Sequence, residues 1–260
     1  MVKIAFIIGI NYSKLDKSVQ LSGCIYDARR IYETLLNHLG FSTNTVYMLT
    51  DDNEEQQPTK QRIWDVLEKV KKEATRTEDE LWIYYSGHGN TILDTNGDEK
   101  YGRDSVILPM DYLKQGYISD DELHVWLRTI QCKVCMIFDS CHSGTITDLP
   151  WNFTYREPGE MLIEKVREIK MDNQQIYTLS SSSDSQTSWE VYNQKQKQSY
   201  GEFTNTLLRI LEETKYNITI MKVFERLSVE FYTKQFGEMR AMQTPTLSSS
   251  YRIPDWRIQK

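Results

Sequence analysis

The sequence predicts an α/β protein with a mostly parallel sheet covered by helices on both faces. Two observations carry this. Short apolar runs alternate with segments of helical spacing along the chain. The first run, residues 3–10, is apolar almost throughout, as a strand buried on both faces is. Strand–helix–strand order supplies the crossovers that parallel neighbours need.

The elements follow in order. After the strand at 3–10, residues 24–39 carry Ala28, Ile31, Leu35 and Leu39 at helical spacing, and Gly40 is the stop. Residues 45–49 read as a short strand. Pro58 precedes a helix at 59–73 with Ile63, Val66, Leu67 and Val70 on one face. Residues 81–85 are a strand. Ser119-Asp120-Asp121-Glu122 is a capping box that opens a helix running to about Ile130. Strands are expected at 133–138 and 176–179, helices at 203–213 and 220–236, and a weak polar strand at 246–249. Residues 150–174, with Pro150, Pro158 and Gly159 and mixed charge, read as an exposed loop.

With 260 residues, 39% hydrophobic and 26% charged, the chain can bury a substantial core. Its formal net charge of −6 disfavours nucleic acid as a partner, since phosphate binding wants a basic face. Cys24, Cys132, Cys135 and Cys141 are too few for a disulfide scaffold of this length. The apolar start lacks a cleavage site for a signal peptide and reads as a buried strand. A reducing, cytoplasmic compartment is therefore expected, and the sequons at Asn11, Asn152 and Asn217 are expected to be idle. No stretch is long enough to span a membrane.

Two peptides carry chemistry: Tyr84-Tyr85-Ser86-Gly87-His88-Gly89 and Asp139-Ser140-Cys141-His142-Ser143-Gly144. Each follows an apolar strand and ends in small residues. In open α/β sheets, ligand groups collect where strands end at their carboxyl side. A thiol and an imidazole delivered there are a nucleophile and its base. The commoner fate of a lone cysteine is a structural one. The small polar residues around Cys141 and the matching turn around His88 argue against it. The N–H groups of Gly89 and Cys141 are candidate donors to an oxyanion, and His142 is assigned a structural role. Cys132-x-x-Cys135 with Cys141-His142 suggests zinc only superficially, because Cys135 lies in an apolar strand and no second tight pair exists.

These two peptides resemble the catalytic signatures of the metacaspases, which are caspase-related cysteine peptidases. The order and separation of His88 and Cys141 also fit. So do Ile8-Gly9-Ile10-Asn11-Tyr12, Leu21-Ser22-Gly23-Cys24-Ile25-Tyr26-Asp27-Ala28, Leu49-Thr50-Asp51-Asp52 and Thr244-Pro245-Thr246-Leu247-Ser248-Ser249-Ser250. The arrangement is similar to type I, and with the first strand at residues 3–10 the N-terminal prodomain common in that type is not expected. The resemblance implies a caspase-like three-layer sandwich with a six-stranded sheet. It implies a large-subunit-like part (1–149), an exposed linker (150–174) and a small-subunit-like part (175–260). It implies a monomeric endopeptidase that cleaves after Arg or Lys, with Cys141 and His88 as its dyad.

The matching specificity pocket is Cys24, Asp27, Ser86 and Asp139. Two carboxylates there would repel an aspartate side chain by about 4 kcal/mol per close pair at an effective dielectric near 20, roughly a thousandfold in rate. The resemblance also implies a calcium site at Asp104, Asp120, Asp121 and Asp148, oxygen ligands that suit this ion. Asp120 and Asp121 also favour the helix dipole with no metal at all. Asp94 to Glu99 begins like an EF-hand, but its glycine comes one position early and no closing Glu follows. Arg156, Lys165, Arg167 and Lys170 are candidate self-cleavage points. The competing functional classes are a non-catalytic caspase-like binding module and a related peptidase with a different pocket.

Overall fold

In chain order the elements are β1 (Lys3–Gly9), α1 (Cys24–His38), β2 (Val46–Thr50), α2 (Lys60–Glu73), β3 (Glu80–Ser86), β4 (Gly89–Leu93), β5 (Arg103–Ile107), α3 (Tyr112–Gln115), β6 (Ile118–Ser119), α4 (Asp120–Leu127), β7 (Lys133–Asp139), β8 (Trp151–Glu157), β9 (Glu160–Lys165), β10 (Ile176–Ser180), β11 (Glu190–Asn193), β12 (Gln198–Gly201), α5 (Glu202–Glu213), β13 (Ile218–Thr219), α6 (Ile220–Gly237), β14 (Thr246–Ser249) and β15 (Arg257–Ile258). This is a computed structural model that describes residues 1–94, 97, 102–141, 143–157, 159–182, 190–193, 198–237 and 243–260. The EF-hand-like stretch and His142 lie wholly or largely outside the described residues.

The central sheet has eight strands in the order β2-β1-β3-β7-β10-β14-β8-β9. The pairings from β2 to β10 are parallel, and those from β10 to β9 are antiparallel. Side chains alternate across the buried strands. Ile4, Phe6 and Ile8 of β1, Leu81, Ile83 and Tyr85 of β3, and Val134, Met136 and Phe138 of β7 face one core. There they meet Ile63, Leu67 and Val70 of α2 and Leu123, Trp126 and Leu127 of α4. Ala5, Ile7, Trp82, Tyr84, Cys135 and Ile137 face the other core, closed by α1, α5 and α6. Both faces are apolar, which is why these strands read as continuous runs.

The six expected strands all lie in this sheet. The stretch read as a loop is different: it contributes β8 and β9, a hairpin that extends the sheet to eight strands. Gly159, at φ +91°, sits in its turn. Phe153 is fully buried opposite Leu247 of β14. Pro150 and Gly159 therefore punctuate a hairpin, Pro158 lies outside the described residues, and the irregular part shrinks to residues 166–175. It follows that β14 is an inner strand. The outer edge is β9, whose exposed Glu160, Glu164 and Lys165 discourage pairing with another chain.

Cys132 and Cys135 pack into opposite cores, so they cannot share a metal, and the zinc alternative ends there. Replacing Phe153 by Ala should cost about 3–5 kcal/mol in urea unfolding. A loss of less than about 1 kcal/mol, close to the range of surface substitutions, would return this segment to a loose loop.

Candidate active site

The parallel register of β3 and β7 places Ser86 opposite Asp139. His88 and Cys141 each follow two residues later, so both leave the sheet at the same edge. The two motifs also touch through their backbones. A Cβ added at Gly89 would overlap the carbonyl oxygen of Cys141 and lie 3.3 Å from Ser140 Oγ. Only glycine lets the two turns approach this closely.

The His88 ring is held from behind. Its Nε2 lies 2.7 Å from the carbonyl oxygen of Val19. A carbonyl only accepts, so Nε2 carries the hydrogen, and in the neutral ring the lone pair is on Nδ1. The ring rests against Tyr12, with centroids 4.6 Å apart. The backbone of His88 is fixed as well. Its N–H donates to the Tyr12 hydroxyl (2.9 Å), and its carbonyl accepts from the Tyr85 hydroxyl (2.7 Å) and the Leu108 N–H (3.1 Å). Tyr12 in turn donates to the Leu108 carbonyl at 2.7 Å. Burial pushes both phenols well above their ordinary range, so they stay protonated as donors.

Cys141 is half-buried, whereas the other three cysteines are buried. Burial pushes Cys132 up to about 12 and Cys135 well above the ordinary thiol range.

Asp27, Ser86 and Asp139 meet beside this edge. The Tyr84 hydroxyl lies 2.7 Å from Thr204 Oγ1, and its pKa is raised by burial and then by the Asp27 and Asp139 charges. Cys24 is one turn before Asp27 on α1, with its backbone against Gly9. Asp27 and Asp139 are 0% and 5% exposed. The floor is therefore closed rather than open. Gly201 N–H donates to Asp27 Oδ2 (2.5 Å), and the Thr204 N–H (3.2 Å) and hydroxyl (2.7 Å) donate to Asp139 Oδ2. A Cβ at Gly201 would overlap Asp139 Oδ2. Arg30 lies 3.7 Å from Asp27 Oδ1.

Asp104, Asp120 and Asp121 form a second acidic group, each offering a carboxylate oxygen within 4.8 Å of the others. Asp120 accepts from the N–H of Ser105 (2.6 Å) and from the N–H of Asp121 (2.9 Å). The capping box of Ser119 and Glu122 sets this helix start. Asp148 does not complete that group. It pairs with Arg167 at 2.5 Å, with side chains only 2% and 8% exposed.

Comparisons with known proteins decide the family. The family model described as the metacaspase, peptidase C14 domain matches residues 3–150. The chain belongs to this metacaspase family. Metacaspase-1B of Neurospora crassa is 43% identical over 155 residues, 58% of this chain and 36% of that protein. Metacaspase-1 of Scheffersomyces stipitis is 39% identical over 157 residues, 58% of this chain and 38% of that protein. The match thus spans well under half the length of these curated relatives. Among solved structures, a protein of Geobacter sulfurreducens is similar with a TM-score of 0.66 at 22% identity, covering 98% of this chain and 95% of that one. Caspase-1 of Spodoptera frugiperda gives 0.51 at 12% identity, covering 95% and 86%. These likenesses establish the caspase-like fold.

Sequence reasoning singled out His88 and Cys141 but missed the groups that hold them in place. The Val19 carbonyl is a backbone atom and leaves no side-chain signal. Tyr12 and Tyr85 sit in or beside apolar runs, where an aromatic reads as core. The cysteine environments lead to a labelling pattern. A thiol with a pKa of about 12 is about one part in ten thousand thiolate at pH 8. Chloroacetamide at that pH should label Cys141 in the native protein and leave Cys132 and Cys135 unmodified by mass spectrometry. Labelling of either buried thiol at the rate of Cys141 would contradict the placement.

Proposed function

We propose that this chain is a cysteine endopeptidase that cleaves after Arg or Lys. The observation that carries the reading is the β3–β7 register, which sends His88 and Cys141 out of the sheet at one edge. Nδ1 of His88 takes the thiol proton, and the thiolate of Cys141 attacks the scissile carbonyl carbon. The π electrons move to oxygen, where the N–H groups of Gly89 and Cys141 hold the oxyanion. Collapse breaks the C–N bond, and His88 passes its proton to the leaving amine. Water then hydrolyses the thioester, with His88 as base.

The buried pair Asp27 and Asp139 supports the Arg/Lys preference. Carboxylates in a low-dielectric floor favour a cationic side chain and disfavour an anionic one. Ser86 lies opposite Asp139 in the register, and Cys24 is one turn before Asp27 on α1. Because Gly201 covers the acids, the segment at Tyr200 and Gly201 must give way as the side chain enters.

Calcium is the cofactor that fits the second acidic group. Asp104, Asp120 and Asp121 offer converging hard oxygens, and Asp148 would join after releasing Arg167. The ion, when bound, supplies the positive charge that lets these carboxylates lie together. Self-cleavage fits Lys170 better than its neighbours. Arg156 and Lys165 are in paired strands and Arg167 is in a buried ion pair, while Lys170 is exposed outside any strand. The net charge of −6 supports protein substrates over nucleic acid, and the charged edge β9 supports a monomer. No helix among the described residues is long and apolar enough to cross a membrane, and the reduced cysteines fit the cytoplasm.

Fluorogenic peptides ending in Arg, Lys or Asp, assayed on the native protein and on Cys141→Ala, test this reading. Turnover of Arg and Lys peptides that vanishes in Cys141→Ala is expected, and Asp139→Asn should lower kcat/KM for Arg at least tenfold, a change of about 1.4 kcal/mol. No turnover of any peptide would leave the non-catalytic binding module. Turnover of Asp peptides would give the chain a different pocket.

The metal is tested separately, by calorimetric titration of calcium into Cys141→Ala. Binding should be lost in Asp104→Asn or Asp120→Asn, and equal binding in all three proteins would place the ion elsewhere.

A further inference from the structure

The backbone carbonyl of Ser140, the residue before the nucleophile, is surrounded by hydroxyls. Ser143 Oγ donates to it at 3.0 Å, Ser181 Oγ at 3.1 Å and Ser182 Oγ at 3.0 Å. All four serines are at least 99% buried. Ser181 also accepts from the Ser140 N–H at 3.2 Å, so its hydroxyl bridges both polar groups of that residue. Ser181 and Ser182 follow directly on β10, the parallel neighbour of β7, and the Ser181 N–H donates to the Phe138 carbonyl at 2.9 Å. A carbonyl oxygen has two lone pairs. Three donors on one such oxygen exceed what satisfying a buried carbonyl requires.

The Ser140 carbonyl and the Cys141 N–H belong to one peptide group. Drawing electron density to the oxygen leaves the N–H more positive, and hydrogen bonds in series strengthen one another by about 10–30% each in a low-dielectric interior. We infer that Ser143, Ser181 and Ser182 are positioning residues for catalysis: their hydroxyls polarise and fix the peptide whose N–H, at Cys141, stabilises the oxyanion. This deepens the peptidase reading and rests on it.

A single oxyanion donor is worth about a hundred- to a thousandfold in kcat. A gain of 10–30% in its strength corresponds to about two- to eightfold per hydroxyl. The effect belongs to the acylation of a carbonyl substrate. It is absent from alkylation of the same thiol, in which the sulfur–carbon bond forms as chloride leaves and no oxyanion appears.

The test uses Ser182→Ala and the double variant Ser143→Ala/Ser182→Ala. It spares Ser181, whose loss would also strip the Ser140 N–H of its acceptor. Steady-state kinetics on a peptide amide are read beside the second-order rate of Cys141 alkylation by chloroacetamide. The expected result for the double variant is a kcat lowered on the order of tenfold, with KM and the alkylation rate unchanged. Ser182→Ala should fall between it and the native protein. If kcat and alkylation fall together, the serines hold the sulfur rather than polarise the peptide, and the inference is overturned. An unchanged kcat overturns it as well. A native protein that is alkylated at Cys141 yet turns over no peptide sinks the peptidase reading itself, and is recognised before any serine is replaced.

Discussion

The parallel pairing of β3 with β7 is the constraint on which the rest depends. It sets Ser86 against Asp139, and the two chemical turns begin from that pair. A slip of one residue would move every side chain of one strand to the opposite face. Here both faces are packed: Leu81, Ile83 and Tyr85 lie in one core and Trp82 and Tyr84 in the other, and β7 divides the same way. The apolar cores on either side of the sheet therefore enforce the alignment of His88 with Cys141, although neither residue belongs to them.

Beyond the strand ends, polar contacts take over from packing. Tyr12 and Tyr85 reach from the core to the backbone of His88 and stay protonated because they are buried. The Val19 carbonyl selects the tautomer. On the other side of the edge, Asp27 and Asp139 are tied down by Gly201 and Thr204, at the start of α5. Those contacts join the first and middle thirds of the chain to its last quarter. The acidic pair is thus a junction between distant segments, assembled by folding rather than by local sequence.

Much of this was legible in the residues, for identifiable reasons. β1, β3 and β7 announced themselves as apolar runs because burial on both faces leaves no polar alternation to confuse, whereas β14, Thr-Leu-Ser-Ser, gave only a weak signal. Small residues around His88 and Cys141 marked turns where a side chain is presented rather than packed. The β8–β9 hairpin was missed because Pro150, Pro158 and Gly159 signal a break equally well in a loop and at the ends of strands. Only the burial of Phe153 distinguishes the two. Asp27 and Asp139 became a pair only through the family resemblance, since nothing local links a helix acid to a strand-end acid. The grip of Arg167 on Asp148 depends on the path of the irregular segment after β9, which no periodicity encodes.

The most direct measurement of the central claim is covalent. Dibromoacetone is a bifunctional alkylating agent short enough to bridge only neighbouring nucleophiles. After treatment and proteolysis, mass spectrometry should find one bridge, from the sulfur of Cys141 to the ring of His88, and Cys141→Ala should show none. A Cys141 that is alkylated but never bridged to His88, or is bridged elsewhere, would contradict the shared edge on which this account stands.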